Sequence, residues 1–302
     1  MFEGFTPFNV TTQAEPHVTI SGVASGDASS SSLPPLLLIH GFPQTHHMWH
    51  RVAPQLTSKY TVVVPDIRGY GASSKPKDLA SYAKSAMARD MIALMDSLGF
   101  KDKFFVCAHD RGARVTHKLC VDFPERVAAA ILLDICPTLA MYSSTDFVFA
   151  KAYFHWFFLI QQEPLPEKMI TNDPSLISNA FMGGLLGSSG TDKFGSECFA
   201  KYTKGLGDYD TVHGMCQDYR AGASLDLEEQ KADLEAGRLI RCPLRVIWGA
   251  AGLIEKKYDC VAEWKKVTDP SVKLDGYKLE TSHWIPDEAP DEVVKAILEV
   301  LV

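Results

Sequence analysis

The sequence predicts an α/β protein, a mostly parallel sheet covered by helices on both faces and interrupted by an inserted helical cap. Three observations lead there. Short apolar runs recur and end in polar or small residues, helix-spaced stretches alternate with them, and the alternation breaks once, between about Thr138 and Asp226.

The apolar runs come first. Leu36-Leu37-Leu38-Ile39 ends at His40-Gly41, and Val62-Val63-Val64 ends at Pro65-Asp66. Phe104-Phe105-Val106-Cys107 leads to His109-Asp110-Arg111-Gly112, Ala129-Ala130-Ile131-Leu132-Leu133 to Asp134, and Leu244-Arg245-Val246-Ile247-Trp248 to Gly249. Runs of this kind are what strands buried on both faces look like. Ser85–Leu98 and Ala113–Phe123 place apolar residues at helical spacing between them. Strands alternating with helices imply a parallel sheet whose chemistry sits beyond the carboxyl ends of the strands. The polar residues ending each run are therefore candidates for function.

The Gly/Ser/Asp-rich stretch Val23–Ser32 reads as a hairpin loop between two short strands. The stretch after Thr138 is aromatic and helix-like over Phe147–Ile160, then rich in Pro, Gly and Ser over Pro164–Gly190. It reads as a lid, giving a core of residues 1–137 and 227–302 and a helical cap of 138–226.

With 302 residues and 46% hydrophobic content, the chain has material for a full core. A net charge of −7 without a basic cluster argues against a nucleic-acid partner, yet leaves room for one small anion held by a few arginines. The seven cysteines are odd in number and form no Cys-x-x-Cys pair, so they read as reduced, mostly buried thiols of a cytoplasmic protein. Met1–Val10 carries neither a basic patch nor an apolar run and does not read as a signal peptide. No apolar stretch reaches membrane-spanning length.

Ala108-His109-Asp110-Arg111-Gly112 has the form small-x-nucleophile-x-small between a strand and a helix, the nucleophile elbow of the α/β-hydrolase fold. Its central residue is a carboxylate. Such a nucleophile attacks an electrophilic carbon and leaves an ester on the enzyme, which water must then hydrolyse with a general base and an oxyanion hole. The plain structural alternative for Asp110 is a helix N-cap. His283, in Thr281-Ser282-His283-Trp284, stands where the chain order nucleophile, acid, histidine expects the base. Asp134, ending a strand, is the preferred acid and Glu255 the fallback; a turn or cap is the structural alternative for Asp134. The main-chain N–H groups of Phe42, in His40-Gly41-Phe42-Pro43, and of Arg111 would form the hole.

Arg111 and Arg114 lie three apart at the start of one helix, which suits a substrate bearing a carboxylate; salt bridging is the simpler role, above all for Arg114. In the cap, Tyr153-Phe154-His155-Trp156-Phe157-Phe158 reads first as core packing. His155, Trp156 and Tyr219 nonetheless supply N–H and O–H donors suited to a small leaving anion.

On these segments, together with Asp66-Ile67-Arg68-Gly69-Tyr70-Gly71 and Cys216-Gln217-Asp218-Tyr219-Arg220-Ala221-Gly222, the chain resembles the haloacetate (fluoroacetate) dehalogenases along nearly its whole length. The arginine pair, the His-Trp pair and the Asp-Tyr-Arg-Ala-Gly segment are the specific parts. The resemblance implies that Asp110 displaces halide from a 2-haloacetate, that His283 oriented by Asp134 activates water, that Arg111 and Arg114 hold the carboxylate, and that His155, Trp156 and Tyr219 receive the halide. It also implies no cofactor, no metal and a homodimer. One position departs: near Leu185, where the family often carries a cap tryptophan, the stretch Phe181–Gly187 is small, which predicts a larger or looser pocket. Two other readings stand beside this one. An epoxide hydrolase would share Asp110 and His283 and use Tyr219 with Tyr153, Tyr202 or Tyr209 to protonate the epoxide oxygen. A catalytically idle fold would bind its ligand without turnover.

Overall fold

The computed structural model describes residues 1–184 and 190–301. Among these, eight strands form one sheet in the order β1-β2-β4-β3-β5-β6-β7-β8. The strands are β1 (Thr6–Gln13), β2 (Val18–Ala24), β3 (Pro35–Ile39), β4 (Thr61–Pro65), β5 (Phe104–His109), β6 (Val127–Leu133), β7 (Leu244–Gly249) and β8 (Leu274–Leu279). From β4 to β8 every pairing is parallel; β1 and β2 run antiparallel at one edge. All five apolar runs of the sequence are strands of the parallel part, buried on both faces, with Leu36–Ile39, Val62–Val64, Val106 and Ile131–Leu133 withdrawn from solvent.

The Val23–Ser32 expectation needs correction. Val23 and Ala24 belong to β2, and β2 and β3 do not pair: each pairs with β4, which lies between them. The stretch is a crossover, and the hairpin is β1–β2. A strand as apolar as β3 gains more from two buried parallel neighbours than from the sheet edge.

Helix α1 (Lys84–Ser97) and helix α2 (Asp110–Asp122) pack side by side on the sheet. Helix α2 starts three residues before the helical spacing of the sequence suggests, because β5 turns into it without a loop. That turn requires Gly112, where a Cβ would stand 2.4 Å from the carbonyl oxygen of His40.

Between β6 and β7 the chain leaves the sheet as α3 (Thr138–Ser143), α4 (Phe147–Ala152), α5 (Phe154–Leu159), α6 (Leu165–Asn172), α7 (Pro174–Ser178), α8 (Ser196–Leu206), α9 (Tyr209–Gly222) and α10 (Leu225–Glu235). The aromatic stretch is two short helices broken at Tyr153. Helix α10 packs on α3 and α9, and reaches back to α2 through Lys118–Asp233 and Gln230–His117. After β7 come α11 (Leu253–Lys257) and α12 (Cys260–Lys265), then β8, α13 (Ile285–Glu288) and α14 (Pro290–Val300). All seven cysteines are buried and free of disulfides. No helix among the described residues is long and apolar enough to cross a membrane. Leu185 lies outside the described residues.

Candidate active site

Asp110 and Asp134 are the two non-glycine residues with positive φ among the described residues, at 46° and 54°. Left-handed backbone costs an ordinary side chain energy and persists where surrounding structure enforces it, often at functional sites. Both residues stand just past the carboxyl end of a central strand, Asp110 after β5 and Asp134 after β6.

Asp110 is 6% exposed. Its Oδ1 accepts the main-chain N–H of Phe42 at 2.9 Å. It therefore caps no helix of its own; the expected hole donor already holds one of its oxygens. The main-chain N–H of Arg111, in the first turn of α2, has no partner inside the helix. Oδ2 of Asp110 lies 4.0 Å from Nε2 of His283.

The other ring nitrogen of His283 donates to Oδ2 of Asp134 at 2.5 Å, while Oδ1 of Asp134 accepts the N–H of Gly249 at 2.8 Å. Burial by itself would depress the imidazole pKa of His283, but the Asp134 hydrogen bond and charge outweigh it and raise the pKa above its ordinary 6.5. Glu255, the fallback acid, instead bonds Trp248 Nε1 and Lys278 at the surface. His109, within the elbow, donates from Nε2 to the carbonyl of His283 at 2.8 Å and ties the histidine loop to the nucleophile turn. No feature of the sequence alone signals that contact.

Both arginines are buried, at 0% and 2% exposure. Arg111 forks onto Asp218: Nε to Oδ2 at 2.8 Å, Nη2 to Oδ1 at 2.7 Å and to the main-chain oxygen at 2.6 Å. Its Nη1 has no hydrogen-bond partner among the described residues. Arg114 bonds only neutral groups: the Thr138 hydroxyl at 2.8 Å, the Cys136 carbonyl at 3.3 Å and the Met141 sulfur at 3.2 Å. Burial and the neighbouring Arg111 both pull the Arg114 pKa down. Burial would raise the Asp110 pKa, but His283, His109, Arg111 and Arg114 outweigh it and hold the carboxyl below its ordinary value.

The three cap residues lie together against the Phe42 loop and the two arginines. The His155 ring stacks over Phe42 at 6.0 Å, and His155 and Tyr219 meet at 5.8 Å. Tyr219 lies under the Arg111 guanidinium at 4.3 Å and Trp156 under that of Arg114 at 4.8 Å. Burial, with smaller effects from its charged neighbours, takes His155 down to about 3, so its ring is neutral. Burial, then the nearby Asp110 carboxylate, pushes the Tyr219 phenol well up, so it keeps its proton. All three groups are neutral donors. Tyr153 is also buried beside His155 and Trp156, at 5.3 and 5.8 Å. Of the other tyrosines considered, Tyr209 bonds Glu163 at the surface and Tyr202 is buried against Phe194.

Asp218 is the residue that sequence reasoning passed over. It stood inside a motif already singled out, but its pairing with Arg111 spans 107 positions. No group of His, Cys, Asp and Glu side chains among the described residues could hold a metal ion.

Comparison with known proteins agrees with this architecture. The α/β hydrolase fold model matches residues 34–180. A fluoroacetate dehalogenase of Burkholderia sp. is 40% identical over all of this chain and 95% of its own length. A soluble epoxide hydrolase of Corynebacterium sp. (strain C12) is 28% identical, over 93% of this chain and 94% of its own. A solved α/β-hydrolase structure from Nostoc sp. PCC 7120 superposes with a TM-score of 0.90 at 40% identity, covering 100% of this chain and 99% of that one. The chain belongs to the fluoroacetate dehalogenase family of the α/β-hydrolase superfamily, hydrolases acting on carbon–halogen bonds.

Proposed function

We propose that the protein hydrolyses a small 2-haloacid, such as chloroacetate or fluoroacetate, to glycolate and halide. The observation that carries this reading is the state of the two arginines. Arg114 is a buried cation that bonds only neutral groups, and Arg111 keeps an unpartnered Nη1 beside it. A buried cation with no carboxylate bonded to it is costly, and a substrate carboxylate relieves that cost. A neutral substrate leaves it in place.

The chemistry follows from the geometry. With its carboxylate on Arg111 and Arg114, the substrate presents its halogenated carbon to Asp110. Oδ2 of Asp110 attacks that carbon and the C–X electron pair departs as halide, toward the N–H and O–H donors of His155, Trp156 and Tyr219. The product is a glycolyl ester of Asp110. His283, held by Asp134, takes a proton from water as that water attacks the ester carbonyl carbon. Negative charge gathers on Oδ1, which the Phe42 and Arg111 N–H groups stabilise. Collapse releases glycolate and restores the Asp110 carboxylate. The sum is haloacetate plus water to glycolate, halide and a proton. No metal or cofactor takes part in this scheme.

The same reading takes residues 1–137 and 227–302 as the core and 138–226 as the cap. It makes the protein a cytoplasmic homodimer that binds neither nucleic acid nor membrane. Ion-selective detection of fluoride and chloride released from the two haloacetates tests the function; glycolate must appear in equal amount.

A second reading has its own support in Tyr153 and Tyr219, two buried phenols near Asp110, the arrangement an epoxide hydrolase needs. Diol formation from a styrene-type epoxide, without halide release from haloacetates, would favour it.

A further inference from the structure

We propose that Asp218 and Lys84 are positioning residues that set the preference of this site for an anionic substrate: Asp218 orients Arg111, and Lys84 returns the positive charge that Asp218 would otherwise cancel. The inference rests on the reading of Arg111 as a carboxylate-binding residue.

Asp218 is wholly buried in α9. Its Oδ1 accepts from Arg111 Nη2 and from Lys84 Nζ at 2.5 Å, and its Oδ2 from Arg111 Nε and from the Tyr70 hydroxyl at 2.9 Å. Together with its main-chain oxygen, Asp218 uses the Nε and Nη2 side of the guanidinium and leaves Nη1 without a hydrogen-bond partner among the described residues. The Tyr219 ring covers one face of that guanidinium. At Gly222, one turn further on, a Cβ would stand 3.1 Å from Nη2. Helix α9 therefore holds Arg111 in one orientation.

A carboxylate that orients an arginine also neutralises it. Lys84 changes that balance. Its ammonium is 3% exposed, lies against Asp218, and has Asp226 on its other side at 3.3 Å. Arg111, Asp218, Lys84 and Asp226 form one contiguous buried group, two cations against two carboxylates. Without the Lys84 charge the same set carries a net negative charge before any substrate arrives, and an incoming carboxylate is repelled across a buried, weakly screened space.

The test compares Lys84→Met, Asp226→Asn and the double variant by KM and kcat on chloroacetate and on its neutral analogue chloroacetamide. Isothermal titration of chloroacetate into the same variants carrying Asp110→Asn reads affinity without turnover. Lys84→Met is expected to weaken chloroacetate binding about tenfold or more with chloroacetamide little changed. Asp226→Asn should tighten chloroacetate binding, and the double variant should return near the wild-type value. Equal losses on both substrates, or a double variant as weak as Lys84→Met, would overturn the proposal. If Lys84→Met does not fold, Asp226→Asn decides by itself: unchanged or weaker chloroacetate binding contradicts the charge balance. A wild-type protein that binds chloroacetate but releases no halide would refute the proposed reaction while the titrations still decide this point. Absence of chloroacetate binding in the Asp110→Asn protein would refute the role given to Arg111, and the inference with it.

Discussion

The main-chain N–H of Phe42 donates to Oδ1 of Asp110 at 2.9 Å. In the proposed reaction Oδ1, held by this N–H, becomes the ester carbonyl oxygen and Oδ2 is the oxygen left to attack. On that reading the carboxylate needs no rotation between the two half-reactions, and the same N–H that orients the attack stabilises the later oxyanion.

His283→Gln should separate the two steps. Attack by Asp110 needs no base, so the variant is expected to release about one halide per site and then stop, with a glycolyl adduct on the Asp110 peptide in mass spectrometry. Steady turnover without an adduct would show that His283 is not the base.

The pH profile follows from the His283–Asp134 pair. The base must be unprotonated, and Asp134 raises its pKa, so ester hydrolysis should rise with pH through an inflection above 6.5. In Asp134→Asn burial prevails, and the inflection should move below 6.5. The rate should fall by roughly 10³–10⁴, as in other histidines deprived of their orienting carboxylate. Glu255→Gln should leave both unchanged, since Glu255 bonds Trp248 and Lys278 away from the site. A large loss in Glu255→Gln with an active Asp134→Asn would reverse the assignment.

Gly222→Ala places a methyl group against Arg111 Nη2. A displaced guanidinium misaligns the substrate, and kcat/KM for chloroacetate should drop by roughly tenfold or more while thermal stability changes little. Unchanged kinetics would mean that Arg111 tolerates movement.

The legible and the hidden parts of this site differ in sequence separation. Asp110, Asp134 and the His40-Gly41-Phe42 loop each end an apolar run, so the strand pattern alone marks them. The donors His155 and Trp156 sit side by side, and Tyr219 lies in a distinctive segment. Hidden were the contacts that join distant elements: Arg111 with Asp218, Lys84 with Asp218, and His109 with the carbonyl of His283. Lys84 looks like an ordinary surface charge until the fold buries it, and no spacing in the sequence tells Asp218 or His109 which partner it meets. The β1–β2 hairpin was missed for a related reason. Its outer strand is half exposed and the pattern is weak, whereas the crossover after β2 carries the turn-rich composition that usually marks a hairpin.

Asp287 tests the packing beneath the site. It is buried, one oxygen accepts from Gln44 at 2.9 Å, and burial pushes its carboxyl up to about 7. A raised carboxyl pKa favours the protonated native state, so this contribution is present below about pH 4 and is lost as pH rises toward 7. Asp287→Asn, which cannot ionise, should therefore gain more thermal stability relative to wild type at pH 8 than at pH 5. The same difference in Tm at both values would contradict the shift.

The most direct test of the account is a single turnover of chloroacetate in ¹⁸O-labelled water, with enzyme in excess. Water attacks the ester at the carbon of the Asp110 carboxyl, so the first turnover should place ¹⁸O in the Asp110 peptide and release glycolate whose new oxygen came from Asp110, unlabelled. Label in the glycolate with none in Asp110 would mean that water displaces the halide directly, and the covalent role of Asp110 would be wrong.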